Sequence, residues 1–421
     1  MKKTLVAIFA IALIATASIF AGGAQEAKPA STDGGLKGYL TVATNTSDPV
    51  FSAVQAVIDA FMEENPGVTV EYTTYGKDYE NLMKAKMAAN DLPDVFATHG
   101  WGVKRYAEYL MPLNDLSFAG RFTESIKNVI TTEDGRIVTM PVTSEATGII
   151  YNKDILAKAG WTTVPRTWAE FFQCCRDIRA IGIDPVLITG KDNRCQANLM
   201  DIAAPSILCS YEKENYQESL YDGTFDWSQW AKVAGIVKQL ADENLTNKDA
   251  NTADPLFASE RLANGEACFY FNNQAYISNA WEINPDANLS MMPVPAYYED
   301  DEQIMIGGER ESYGIWKDTP NKEIAIALLE FMARPENVKS VGEACGMPNP
   351  FVDVTVDLRI SKDLAQYNNL RTYPYFDREW LPSGMWATMR ATGGAITAGD
   401  MTVEQACKEM EKNYLSLRAQ N

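Results

Sequence analysis

The chain has 421 residues, 46% of them apolar, with 37 basic against 56 acidic side chains and a net charge of −19. That length allows two to three domains with a sizeable core. The acidic balance leaves no basic stripe to neutralise phosphates, which excludes a nucleic-acid partner and suits a soluble exported protein.

The first stretch reads as a secretory signal peptide over residues 1–24. Lys2 and Lys3 precede an apolar run from Leu5 to Phe20, and small residues follow from Ala21 to Ala24. The run is short for a membrane span. Cleavage is expected after Ala21 or Ala24, and the absence of Cys here removes the lipid-attachment pattern of bacterial lipoproteins. Residues 25–37 read as a flexible lead-in.

Strand and helix patterns then alternate. "YLTVAT" (Tyr39–Thr44) is a short strand, and Ser52 to Glu64 has helical spacing that "NPG" stops. "VTVEYTTY" alternates as a strand. Lys77 to Ala89 reads as a helix with Asn90 as its left-handed end, and "PDVFAT" is a buried strand. This order is the grammar of a parallel α/β sheet. "GRIVTMPVTSEATGIIYNKDILAKAG" gives two apolar strands around the polar kink "TSEAT", then a helix closed by Gly160. Thr167 and Glu170 open the next helix, which Gly182 ends, and "DPVLITG" is a strand. Asp226 to Glu243 and Asp254 to Asn264 read as helices. "EACFYFNNQAY" starts as a strand and ends polar. "NLSMMPVPAYY" is a strand whose two prolines bar it from a central position. Two helices in "NKEIAIALLEFMARPENVKSVGEACG" and one in "TVEQACKEMEKNYLSLRAQ" complete the pass.

Seven cysteines, at Cys174, Cys175, Cys195, Cys209, Cys268, Cys345 and Cys407, leave at least one unpaired and show no C-x-x-C spacing. They read as small buried apolar residues.

"FMEENPGVTVEY", "MAANDLPDVF", the run from "GRIVTMPVTSEATGIIYNKDIL" to "AGWTTVPRTWAEFFQCCRDI", "GEACFYFNNQAY", "MMPVP" and "GGERESYGIWKDTPNKEIAIALLEFMARPENV" occur in a telling order. In these landmarks the chain resembles the extracellular solute-binding proteins of carbohydrate ABC importers (family 1, maltose-binding-protein-like), from about Tyr39 to the C-terminus. The resemblance implies a two-lobed α/β fold of the periplasmic-binding-protein class II type. Residues 38–147 and 295–347 are expected to form an N-terminal lobe, and 148–294 and 348–421 a C-terminal lobe. Crossings are expected near Ala146–Ile149, Met292–Pro295 and Met347–Phe351, with ligand in the cleft between.

A sugar site needs aromatic platforms for C–H faces and planar polar groups for hydroxyls. Strand ends supply the candidates. They are Asn45 and Asp48 after the first strand, with Thr46 and Ser47; His99, the single histidine, and Trp101 after "PDVFAT"; and Glu145 in the kink. Asn273, Gln274 and Tyr276 end "CFYFNN", Gly308 and Glu309 form the "GGE" turn, and "FDREWLPSGMW" offers Asp377, Arg378, Trp380 and Trp386. Many relatives read Gly, any residue, Trp where Asn273 and Ala275 stand, so Tyr276 or Trp386 is left to supply the aromatic platform.

The resemblance implies capture of a mono- or oligosaccharide by lobe closure and delivery to ABC permease subunits, by a monomer located in the periplasm or on the outer face of the cytoplasmic membrane. A non-sugar solute such as a polyamine is the alternative. No cofactor or metal is expected, and no hydrolase elbow, His-Glu-x-x-His or phosphate loop points to an enzyme.

Overall fold

A computed structural model describes residues 35–98, 103, 106–367 and 369–419. The signal segment and most of the lead-in lie outside the described residues. From Leu36 onward the chain forms one unit with two sheets, each over its own apolar core.

The first sheet has the order β2-β1-β3-β10-β4, from β1 (Gly38–Thr44), β2 (Val68–Thr74), β3 (Val95–Ala97), β4 (Met140–Pro141) and β10 (Ser312–Ile315). β1, β2 and β3 run parallel, and β10 inserts antiparallel between β3 and β4. β2 alternates as the sequence predicts, with Val68, Val70 and Tyr72 inward and Thr69 and Glu71 outward. The helix Val50–Glu64 packs Val54, Ile58 and Phe61 on this sheet. The next helix, Tyr79–Ala89, ends at Asn90 with φ +50, the left-handed end that Asn tolerates.

The second sheet has the order β11-β9-β5-β7-β6, with β8 paired to β5. Its strands are β5 (Ser144–Asn152), β6 (Asp184–Val186), β7 (Ala267–Asn273), β8 (Leu289–Met292), β9 (Met305–Glu309) and β11 (Thr372–Tyr373). The prolines of "MMPVP" act as expected: β8 stops at Met292 and pairs only with β5. Thr167 caps the helix Trp168–Ala180 by accepting from Glu170 N–H, while the Glu170 carboxylate reaches the Arg166 N–H at 2.6 Å. All seven cysteines are free and six are buried. Burial pushes the Cys174 thiol up to about 12 and the Cys195 thiol up to about 11, as for inert core residues.

Three segments pass side by side between the lobes. Val142 N–H donates to the Glu311 carbonyl at 2.8 Å, Arg310 N–H to the Thr143 carbonyl at 3.0 Å, and Ser144 N–H to the Pro348 carbonyl at 2.9 Å. The second crossing is therefore at Glu309–Ser312, not near Met292–Pro295. Val294 pairs with Ile304 beside β8, and Ile304, Met305 and Ile306 pack in the second core, so the chain stays in that lobe until β9 ends. The third crossing is near Met347–Phe351, but Phe351 stacks on Phe122 at 4.8 Å between centroids and Val354 is also in the first core. The return to the second core comes by Ile360.

Asp94 ties the first lobe together. Its carboxylate accepts from Thr41 N–H and Thr41 hydroxyl, each at 2.8 Å, from Thr319 hydroxyl, and from Asn321 amide at 3.1 Å. Burial alone would raise its pKa, but these donors outweigh it and hold it below the ordinary value. Its contribution is thus present above the ordinary carboxylate range and lost as pH falls through the depressed value. Asp94→Ala is expected to lower stability by roughly 2–4 kcal/mol at pH 7 in urea denaturation. The gap from wild type should shrink as pH falls below the ordinary carboxylate range and through the depressed value.

Candidate ligand-binding cleft

Where the crossing strands meet, they form the floor of a cleft. A chamber of about 400 Å³ is lined by Glu80 from the first lobe and by Glu145, Thr147 and Arg310 from the crossing segments. Asn198, Asp201, Asn272, Asn273, Tyr375, Asp377, Arg378 and Trp386 come from the second lobe. Two larger cavities, about 1030 and 1020 Å³, adjoin it and both border Asn128, Val129, Tyr221, Gly308 and Glu379. Glu145 borders the chamber and the first of these; Tyr375 and Arg378 border the chamber and the second.

Local chemistry explains these positions. β7 buries Ala267 to Phe271 and then emerges at Asn272 and Asn273. The Asn273 side-chain oxygen accepts from Ala275 N–H at 3.0 Å and turns the chain into the next helix. The helix Arg194–Leu208 is buried almost throughout, yet carries Asp201, whose carboxylate accepts the Asp377 N–H at 2.7 Å. That bond fixes the segment Tyr375–Trp380 over the helix. The Arg378 guanidinium lies 4.4 Å from the centre of the Tyr375 ring, and the Tyr375 hydroxyl is hydrogen-bonded to Thr147.

The floor is ionic, and the carboxylates of Glu145, Asp201 and Glu309 are buried. Glu145 is 4% exposed. Its nearest cation is Arg310 at 3.8 Å, too long for a hydrogen bond, and Glu145 Oε2 has no hydrogen-bond donor among the described residues. Burial, with the neighbouring Asp377 charge, pushes Asp201 up to about 7. Burial likewise pushes Glu309 up to about 7 against the pull of Arg378. Burial disfavours the Arg378 charge, but Tyr375, Glu145, Glu309 and Asp201 more than compensate, so its pKa is raised and it stays cationic. The arrangement offers acceptors, amides, guanidinium donors and one indole wall. Among the described residues no cluster of three or more His, Cys, Asp or Glu could hold a metal ion.

Of the residues expected from sequence, Glu145, Asn273, Trp386, Asp377 and Arg378 come together in the chamber, and Gly308 and Glu309 border the adjoining cavities. Others lie elsewhere. Asn45 is half-buried and Asp48 exposed, and neither borders these cavities. The Asp48 carboxylate instead accepts Ser52 N–H at 3.2 Å at the start of a helix. Gln274 is buried, and Tyr276 sets its edge on Tyr270 at 5.1 Å. Trp380 is 4% exposed and packs on Phe376 at 5.4 Å in the second core, reaching only the margin of one large cavity. His99 and Trp101 lie outside the described residues. Sequence reasoning missed Glu80, Thr147, Asn198, Asp201, Asn272, Arg310 and Tyr375. Asp201 had a readable signal, a carboxylate inside the apolar run "NLMDIAAPSIL".

A family profile described as "Bacterial extracellular solute-binding protein" matches residues 44–339. The chain belongs to that family. It is 32% identical to the melibiose/raffinose/stachyose-binding protein MelE of Bacillus subtilis (strain 168), over 91% of this chain and 90% of that protein. Among solved structures, a Bacillus subtilis binding protein in an open conformation aligns with a TM-score of 0.88 at 32% identity, covering 91% of this chain and 98% of the other. A sugar transporter protein of Bacillus licheniformis in complex with stachyose aligns at 0.78 and 33% identity, covering 90% and 100%. At nearly equal identity the TM-score is higher against the structure in an open conformation than against the stachyose complex.

The raised Asp201 pKa has a defined consequence. The group's favourable contribution is present below the ordinary carboxylate range and is lost as pH rises through about 7. Asp201→Asn, which cannot ionise, is expected to exceed wild type in stability by ~2 kcal/mol at pH 8 and to match it near pH 4. Thermal melts across that range check it.

Proposed function

We propose that this protein captures a carbohydrate for an ABC importer, closing its lobes around a sugar and presenting the closed pair to the permease. The observation that carries the reading is the identity with MelE along nine-tenths of both chains, and the stachyose complex of a second relative supports it. The cleft chemistry agrees. Sugar hydroxyls both donate and accept, and the chamber sets the carboxylates of Glu145, Asp201 and Asp377 beside Arg310, Arg378 and three asparagines. Trp386 provides the apolar face, and His99 and Trp101 belong in this reading to the wall from the first lobe. The acidic chamber also favours a polyamine, but the two arginines oppose a cation, so a polyol is the better fit.

In this reading residues 1–24 direct export, the mature protein is a monomer in the periplasm or at the outer face of the cytoplasmic membrane, and the sugar leaves unaltered. No helix among the described residues is long and apolar enough to cross a membrane.

The test is calorimetric titration of the protein from residue 25 onward with melibiose, raffinose, stachyose, maltose and spermidine. Saturable heat with at least one α-galactoside, and unaltered sugar recovered after incubation, is expected. Silence with every sugar and binding of spermidine would overturn the carbohydrate reading. Trp386→Ala is expected to weaken the bound sugar roughly tenfold or more with an unchanged melting temperature.

A further inference from the structure

The glycines of the cleft floor are glycines for different reasons. A Cβ on Gly307 would lie 2.4 Å from the Glu145 carbonyl oxygen, and one on Gly148 would lie 2.2 Å from the Met292 carbonyl oxygen. Strand packing therefore requires both. Gly308 has no such constraint. Nothing lies within 4 Å of where its Cβ would be, and its φ is outside the left-handed region. Backbone and packing would both accept a side chain there, so what its absence provides is open space.

That space is in the cleft. Gly308 pairs directly with Glu145 across β9 and β5, so a side chain at 308 would stand beside the Glu145 carboxylate on the same face. Glu145 borders the 400 Å³ chamber, and Gly308 borders both larger cavities. The pair marks the threshold between the chamber and the groove beyond it. Past that threshold stands Tyr221, 47% exposed, its hydroxyl donating to the Glu379 carboxylate. Tyr221 also borders both larger cavities. A tethered, exposed aromatic ring is a ready stacking surface for a C–H face at low entropic cost.

We propose that Gly308 and Tyr221 form a distal subsite that sets ligand length: an oligosaccharide of three or more units starts in the chamber, passes over Gly308 and stacks a distal unit on Tyr221. The proposal rests on the carbohydrate reading above and adds the residues that select for length.

The test compares melibiose, raffinose and stachyose by calorimetric titration on wild type, Gly308→Val, Tyr221→Ala and Tyr221→Phe, with thermal melts as the folding control. Gly308→Val and Tyr221→Ala should weaken stachyose roughly tenfold or more; Tyr221→Ala should leave melibiose within about twofold, and Gly308→Val should weaken melibiose less than stachyose. Tyr221→Phe keeps the ring and should retain most of the stachyose affinity. Equal weakening of melibiose and stachyose by Gly308→Val would mean that this glycine serves hinge motion, and would overturn the proposal. Unchanged stachyose affinity in Tyr221→Ala would also overturn it. A wild-type protein that binds none of the three sugars would overturn the length subsite, and silence with maltose as well, with binding of spermidine, would overturn the carbohydrate reading itself.

Discussion

A cationic guanidinium ringed by buried carboxylates is the constraint on which the cleft depends. Arg378 faces Glu145 and Glu309 on the crossing strands and Asp201 on a helix of the second lobe. None of these charges could be buried alone without severe desolvation cost. Together they fix where β5, β9 and the helix Arg194–Leu208 stand relative to one another. Arg378 itself is held by its contact with the Tyr375 ring, and the segment bearing it is pinned by the Asp377 N–H bond to Asp201.

Two buried aspartates show how differently the fold treats charge. Asp94 is surrounded by donors and its pKa falls, so its carboxylate is a structural tie between β1, β3 and the segment after β10. Asp201 receives the Asp377 N–H, and its pKa rises to about 7. Glu145 keeps an oxygen with no donor at all among the described residues. A fold optimised only for stability would satisfy or remove such groups. Acceptors left under-satisfied at the wall of a chamber are available to donors that arrive with a ligand, and the cost of keeping them is the ordinary cost of a binding site.

The sequence made the first sheet legible because its elements bury one face and expose the other. The alternation of "VTVEYTT" survives intact; of Ala53, Val57, Ala60 and Phe61, which gave the first helix its spacing, Val57 and Phe61 are buried, and Val54 and Ile58 complete the buried face. The helix Arg194–Leu208 escaped notice for the converse reason: buried nearly all round, it has no polar face to give a period. The second crossing was misplaced because Pro293 and Pro295 read as a break between lobes, whereas they end an edge strand that remains in its lobe. Strand ends led to Glu145, Asn273, Gly308 and Glu309, all of which line the cavities of the cleft. They led nowhere for Asn198 and Asp201, which a helix presents, and residue type alone could not separate Trp386 at the chamber from Trp380 in the core. The resemblance to a family supplied the cleft; which side chains enter it depends on packing that no motif encodes.

The division of the chamber between lobes sets the order of events. Among its described lining residues only Glu80 comes from the first lobe, against eleven from the second lobe and three from the crossing segments. In the proposed capture, a ligand seated on the second lobe therefore meets most of the described lining residues before the first lobe closes on it. Closure adds the contacts that only the first lobe can make, and the free energy of those contacts is what shifts the open–closed equilibrium. A solute that fills the second-lobe half but offers nothing to the first would bind without closing the protein. In the proposed capture, discrimination at the permease rests on contacts from the first lobe, although most of the described chamber lining lies on the second.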